Sequence, residues 1–336
     1  MPNKPNFATP LPQSPRSDIL EWRFPKPFRH YVLTGRSRAA WHTSFVIQQL
    51  NLLLDAGLCV NKLRPKHIFL THGHNDHTLL SPAFVNREDP PDIYCPVEIA
   101  EIFDQFILGN SILNLGGLVG PHDPDGPGAE SDGEGELIHY GDCEEEHHKS
   151  RWLNTHVTHG LRPGDVVPLP RLKDIYATAF ACDHTVPCLG YVFSLVTQRL
   201  KSEYSSLAPH EIRDLRESGV EITAPHWAPF LAFLGDTTAD ILLAEPEWLR
   251  QGIPVVITEC SFLYPEHKDQ AIRTKHTIWS ELEKVVRKWP KTTFILMHFS
   301  LRYSDQEIRD FFKQMEDPPS NIVVWIDGVD GHWPRK

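Results

Sequence analysis

Four residues able to bind a metal ion fall within six positions, in the run His72-Gly73-His74-Asn75-Asp76-His77. The run follows His67-Ile68-Phe69-Leu70, a stretch of strand length. Two imidazoles at i and i+2 just beyond a strand end point to the same side and can grip one cation. Asp76 and His77 come next on a tight loop and face a second cation nearby, while Gly73 lets the backbone turn closely. The chemistry such a set performs is metal-assisted hydrolysis. A histidine-rich surface loop is the plainer reading of one His pair; four ligand types in six positions weigh against it.

Other strand-like runs end in the same way. Ile175 to Ala181 stops at Cys182-Asp183-His184, Pro229 to Leu234 at Gly235-Asp236-Thr237, Ile253 to Ile257 at Thr258-Glu259, and Thr293 to Met297 at His298. Their β-branched and aromatic content predicts five buried strands. Residues just past strand ends converge on one edge of an α/β sheet, so His184, Asp236 and His298 join the candidates. Helices are predicted over Pro209 to Glu217, with Ile212 and Leu215 on one side, and over Thr277 to Trp289, with Ile278, Leu282, Val285 and Val286 on one face. Ser304-Asp305-Gln306-Glu307 is a capping-box sequence that opens a third helix running through Met315. Arg29 to Asp55 reads as strands joined by tight turns, ending in Leu52-Leu53-Leu54-Asp55-Ala56-Gly57.

The chain has 336 residues, 40% hydrophobic and 23% charged, enough for a sizeable core. Its formal net charge of −11 disfavours broad contact with a phosphate backbone, though a basic patch or a metal site could hold one phosphate. The six cysteines (Cys59, Cys95, Cys143, Cys182, Cys188, Cys260) include no C-x-x-C pair, which suits reduced thiols in an intracellular protein. No apolar run approaches the roughly 18 residues of a membrane span. Residues 1–17 are rich in Pro and Asn without the apolar stretch of a secretory signal, and read as a poorly ordered arm. A cytosolic or nuclear location follows. Residues 18–336 read as one domain, interrupted at about 116–149 by an acidic surface insertion too charged to bury a core. An acidic interaction segment is the alternative for that stretch.

The run from His72 to His77 resembles the H-x-H-x-D-H motif of the metallo-β-lactamase superfamily, and the later landmarks fall in that superfamily's order. The resemblance implies an αββα sandwich with two cations, zinc or alternatively manganese. One would be held by His72, His74 and His184, the other by Asp76, His77 and His298, with Asp236 bridging. Within the superfamily several stretches are similar to ribonuclease Z, the tRNA 3′-end processing endonuclease. His184-Thr185-Val186-Pro187-Cys188-Leu189-Gly190-Tyr191 resembles its H-T-V-P-S-L-G-Y, and Gly235-Asp236-Thr237 its G-D-T. Glu259-Cys260-Ser261-Phe262 resembles part of its H-E-A-T-F, His276-Thr277 its G-H-S-T, and His298-Phe299-Ser300-Leu301-Arg302-Tyr303 its H-F-S-x-R-Y.

That likeness implies a phosphodiester substrate, pre-tRNA in its specific form, and a homodimer. Asp76 would orient or deprotonate the attacking water, and His276, held by Glu259, would protonate the leaving alkoxide. The alternative for this pair is a helix-start histidine beside a strand-end acid. Ser300, Arg302 and Tyr303 could bind a non-bridging phosphate oxygen; an Arg302–Asp305 ion pair and a core Tyr303 weigh equally. The chain departs from the family in three places, the first being Thr78-Leu79-Leu80-Ser81-Pro82 where Gly-Leu-Pro normally follows the H-x-H-x-D-H motif. Thr258 stands where the first His of H-E-A-T is usual, and Lys201 to His226 is too short for the recognisable tRNA-holding arm. Hydrolysis of a small substrate (a cyclic nucleotide, thioester or lactone) is therefore the second reading. A non-catalytic metal-binding scaffold is the third.

Overall fold

The computed structural model describes residues 7–60, 64–114 and 154–327. They form two facing β-sheets. The first contains β1 (Leu11–Pro12), β2 (Leu20–Arg23), β3 (Val32–Arg38), β4 (His42–Ile47), β5 (Leu52–Leu54), β6 (His67–Phe69), β7 (Asp92–Pro96) and β8 (Val157–Leu161), in chain order. The second contains β9 (Val166–Pro168), β10 (Ile175–Ala181), β11 (Leu189–Leu200), β12 (Thr223–Phe233), β13 (Val255–Glu259), β14 (Thr293–Met297) and β15 (Ile322–Val324). Each sheet is antiparallel at its start and parallel at its end, the change falling at β5 and at β12. Parallel neighbours need crossovers, and helices lie in those that follow β6, β7, β12, β13 and β14.

Alternation along the strands explains the layering, since successive side chains point to opposite faces. Val255, Ile257, Ile295 and Met297 point inward and join Phe45, Phe69, Phe193 and Phe233 between the sheets. Val256, Phe294 and Leu296 point outward and are covered by Leu282 and Val286 of the helix Trp279–Lys288, and by Ile308 and Phe312 of the helix Asp305–Lys313. On the other side, Phe103, Ile107 and Leu108 of the helix Val97–Asn114 cover Ile68, Leu70 and Ile93. The result is the expected four-layer αββα sandwich. Ser304 and Glu307 form the predicted capping box, with Glu307 N–H donating to Ser304 Oγ at 3.2 Å and Ser304 N–H to Glu307 Oε2 at 2.7 Å.

Three expectations need amendment. From Phe7 on, the segment read as a poorly ordered arm is packed. Phe7 is buried against Phe312, Ala8 bridges Val323, and β1 pairs with β2. Burying that one aromatic contributes about 1.5–3 kcal/mol, enough to hold a short segment. Residues 1–6 of the arm and the acidic insertion at 116–149 lie outside the described residues. Second, β12 begins at Thr223 rather than near Pro229. Pro229 sits at a register shift opposite Phe193 and Ser194, where an irregular ladder tolerates a residue without N–H. Third, β11 and β12 stay paired out to Leu200 and Thr223. They are followed at the tip by the helix Pro209–Glu217, in which no residue is buried. A short exposed hairpin thus occupies the segment where the sequence shows no arm. Among the described residues no helix is long and apolar enough to cross a membrane.

Candidate metal centre

The loops after β6, β10, β12 and β14 meet at one edge of the sandwich and bring all seven expected ligand residues together. His72 Nε2 and His184 Nε2 lie 3.0 and 3.3 Å from His74 Nδ1, and Asp236 Oδ2 lies 3.8 and 4.0 Å from the same two Nε2 atoms. On the other side of Asp236 Oδ2, His77 Nε2 is at 3.4 Å and His298 Nε2 at 3.3 Å. Asp76 Oδ2 stands 3.5 and 3.3 Å from those two nitrogens. Asp236 Oδ2 is therefore shared between two ligand sets. Glycines make the approach possible: Gly235 has φ +65°, and a Cβ there would lie 2.5 Å from Thr71.

Hydrogen bonds on the far side of each ring decide which nitrogen is free. His77 Nδ1–H donates to Asp55 Oδ2 at 2.6 Å, and His184 Nδ1–H to the Lys275 carbonyl at 3.2 Å. Thr71 Oγ1–H is committed to Asp55, so His72 Nδ1–H donates to Thr71 Oγ1 at 3.0 Å. Ser261 Oγ–H reaches Glu259 Oε2 at 2.5 Å and accepts from His298 Nδ1–H at 3.0 Å. Each of the four Nε2 atoms thus faces its neighbours in the cluster. Those of His77 and His298 face two carboxylates; burial opposes a charge on His77, but Asp236 and Asp55 outweigh it and raise its pKa, and a divalent cation there would take the place of that proton. His77 Nε2 and Asp236 Oδ1 are buried without any hydrogen-bond partner. The donor set fits divalent metal binding, with imidazole and carboxylate ligands converging within 4.8 Å.

Asp55 and Ser261 were not among the expected site residues. Asp55 ends β5 as an acid after an apolar run, the same pattern that marked the other strands. Burial pushes its carboxyl up, and His77 and Thr71 draw it back. Ser261 carries no such signal, since its place depends on β13 and β14 lying side by side.

Glu259 and His276 do meet. Glu259 is fully buried and accepts from His276 Nδ1–H (2.9 Å), Thr237 N–H (2.7 Å), Thr277 N–H (3.1 Å) and Ser261 Oγ–H. Burial opposes a charge on His276, but the Glu259 carboxylate outweighs it and holds the imidazolium up to about 9. The His276 ring stacks on His298 at 5.4 Å and lies 5.1 Å from His184, at the mouth of the cluster. Beside Glu259, Thr258 Oγ1 is buried with no hydrogen-bond partner, which marks where this chain departs from the H-E-A-T pattern.

The three expected phosphate contacts separate. Tyr303 is core: its hydroxyl pairs with His267 Nδ1 at 2.8 Å and accepts from Leu263 N–H. Arg302 lies over Phe262 and donates to Ser300 Oγ and Gln270 Oε1, with its side chain open to solvent. Asp305 pairs with Arg38 at 3.0 Å, not with Arg302. His267 is thus tied to Tyr303. His42 is buried with Nε2 unpartnered, and burial with Arg36 and Arg38 lowers its pKa to about 4.

A model of the metallo-beta-lactamase superfamily matches residues 52–168. The chloroplastic tRNase Z TRZ2 of Arabidopsis thaliana is 27% identical over 88% of this chain and 74% of its own length. tRNase Z TRZ1 of the same plant is 26% identical over 86% of this chain and 92% of its own. The crystal structure of human tRNase Z, short form, aligns over 88% of this chain and 95% of that one, at 16% identity and a TM-score of 0.49.

Proposed function

We propose that the chain is a ribonuclease Z-like, metal-dependent hydrolase of the metallo-β-lactamase superfamily that cleaves phosphodiesters, with the 3′ trailer of precursor tRNA as its specific substrate. The observation that carries this reading is the Glu259–His276 pair beside the two ligand sets. Hydrolysis of a phosphodiester expels an alkoxide, a poor leaving group that an acid must protonate, and His276 is held protonated at the mouth of the cluster.

His72, His74 and His184 would hold one cation, Asp76, His77 and His298 the other, and Asp236 would touch both; zinc suits this donor set, with manganese as the alternative. Bound there, the pair would lower the pKa of water and neutralise charge developing on the phosphate. The side chains do the remaining work. Asp76, partly open to solvent, orients the attacking water and takes its proton. Asp55, Thr71, Lys275 and Ser261 fix the ring orientations of the four buried histidines. His276 gives its Nε2 proton to the leaving oxygen, and Glu259, with four donors upon it, keeps the ring aimed. Arg302 would meet a non-bridging oxygen, with Ser300 holding the guanidinium.

The tRNA assignment draws on the two plant relatives and on the exposed hairpin of β11 and β12, which could hold a substrate beyond the cleft. A homodimer and a cytosolic or nuclear location belong to the same reading. A small substrate is the second reading, favoured by the net charge of −11. The test is to incubate zinc- or manganese-loaded protein with bis(p-nitrophenyl) phosphate, a precursor tRNA bearing a 3′ trailer, and a thioester. Cleavage of the diester and of the trailer is expected. Turnover of the thioester alone overturns the phosphodiesterase reading, and diester cleavage without trailer cleavage removes tRNA from it.

A further inference from the structure

Cys182 and Cys188 stand at the two ends of the loop that carries His184. They extend the ladder of β10 and β11, whose register pairs Ala181 with Leu189, and the Cys182 N–H donates to the Cys188 carbonyl at 3.1 Å. Residues directly opposed in an antiparallel pair have Cα atoms about 4.5–5.5 Å apart. A disulfide spans roughly 4.4–6.8 Å between Cα atoms. Both residues are free thiols, at facing positions of that extension. Each also ties the His184 loop to the strand end carrying Asp236. Cys182 Sγ–H donates to the Leu234 carbonyl at 3.2 Å, and Cys188 Sγ–H to the Asp236 carbonyl at 3.3 Å. Cys182 is half-buried, and both thiols line a cavity of about 370 Å³ shared with His184 and Pro187, so a small oxidant has a route to them. Neither thiol has a part in the hydrolysis.

We propose that Cys182 and Cys188 are an oxidative modification site, closing into a reversible cross-strand disulfide that weakens the adjoining centre. Hydrogen peroxide is the oxidant class. The Cys182 sulfur attacks one peroxide oxygen; an S–O bond forms, the O–O bond breaks, and the departing hydroxide takes the thiol proton as water. The Cys188 sulfur then attacks that sulfur; the S–S bond forms, the S–O bond breaks, and the leaving hydroxide takes the second thiol proton. Two thiols lose two electrons, and the peroxide becomes two waters. A disulfide has no S–H, so both hydrogen bonds to the Leu234–Asp236 backbone are lost, and the ends of the His184 loop are pulled into one fixed geometry. That consequence rests on the metal-site reading above; formation of the bridge does not.

The test treats the reduced full chain with hydrogen peroxide and digests it with trypsin under non-reducing conditions. Both cysteines fall in the peptide Asp174–Arg199. It should become lighter by two hydrogens and resist alkylation, while exposed Cys59 serves as the control for a lone thiol. Zinc affinity should fall about tenfold to a hundredfold, as for other losses behind a ligand, and recover with dithiothreitol. Cys188→Ser keeps an O–H donor for the Asp236 carbonyl but has no second sulfur, so its zinc affinity should resist peroxide. No bridge in Asp174–Arg199 overturns the proposal, as does a bridge that leaves zinc affinity unchanged. Failure of the reduced protein to bind zinc at all strikes instead at the metal-site reading, and the peptide mass then still decides the bridge.

Discussion

Asp55 Oδ2 lies 2.6 Å from His77 Nδ1, and the same carboxylate accepts from both the backbone N–H and the hydroxyl of Thr71, which in turn holds His72. One buried acid at the end of β5 therefore aims a histidine of each ligand set. Asp55→Asn preserves the volume and the Thr71 contact while removing the charge behind His77. Zinc affinity should fall about tenfold to a hundredfold. Competition with a chromophoric chelator measures it; unchanged affinity would remove Asp55 from this role.

His276→Ala should separate substrates by their leaving groups. With an RNA or alkyl diester, loss of the acid should cost about 10²–10⁴ in kcat at full metal content. With bis(p-nitrophenyl) phosphate, whose leaving group departs without protonation, the loss should be much smaller. Equal losses on both substrates would place His276 in binding rather than proton donation.

Gly235 turns the chain into Asp236 at φ +65°, with Thr71 filling the space a Cβ would need. Gly235→Ala combines left-handed strain with overpacking and should destabilise by about 2–5 kcal/mol. Urea unfolding reads this directly. A shift below about 1 kcal/mol would mean that the β12 end can move away from β6 without penalty.

His67 begins β6 fully buried, and burial lowers its pKa from 6.5 to about 4. Between those values the unfolded chain takes up a proton that the folded chain does not, so acidification through that window favours unfolding; above it the group contributes nothing. Going from pH 7 to pH 5 should cost about 2 kcal/mol through this residue. His67→Gln should remove that share of the acid sensitivity, read as the difference between the two proteins in urea unfolding at each pH. Parallel pH dependence in both would show that His67 is not responsible.

The ligand set was legible in the sequence because each member ends a strand-like run, and strands of an α/β sandwich share an edge. His184, Asp236 and His298 are far apart in the chain but meet for that reason. Ser261 was not legible, since its link between Glu259 and His298 exists only once β13 and β14 pair. Tyr303 was ambiguous between phosphate contact and core until His267 supplied a partner for its hydroxyl. Phe7 was hidden because its partner Phe312 lies at the other end of the chain. The hairpin of β11 and β12 escaped notice because Pro225 and Pro229 argue against a strand, and only the irregular register opposite Phe193 and Ser194 accommodates Pro229.

The most direct test is metal stoichiometry by elemental mass spectrometry on protein dialysed against zinc and then freed of loose metal, comparing the native chain with His72→Ala and Asp236→Ala. The native chain should retain two zinc ions, His72→Ala about one, and Asp236→Ala neither, because Asp236 Oδ2 faces both ligand sets. A folded native chain that retains no stoichiometric metal would contradict the account at its root.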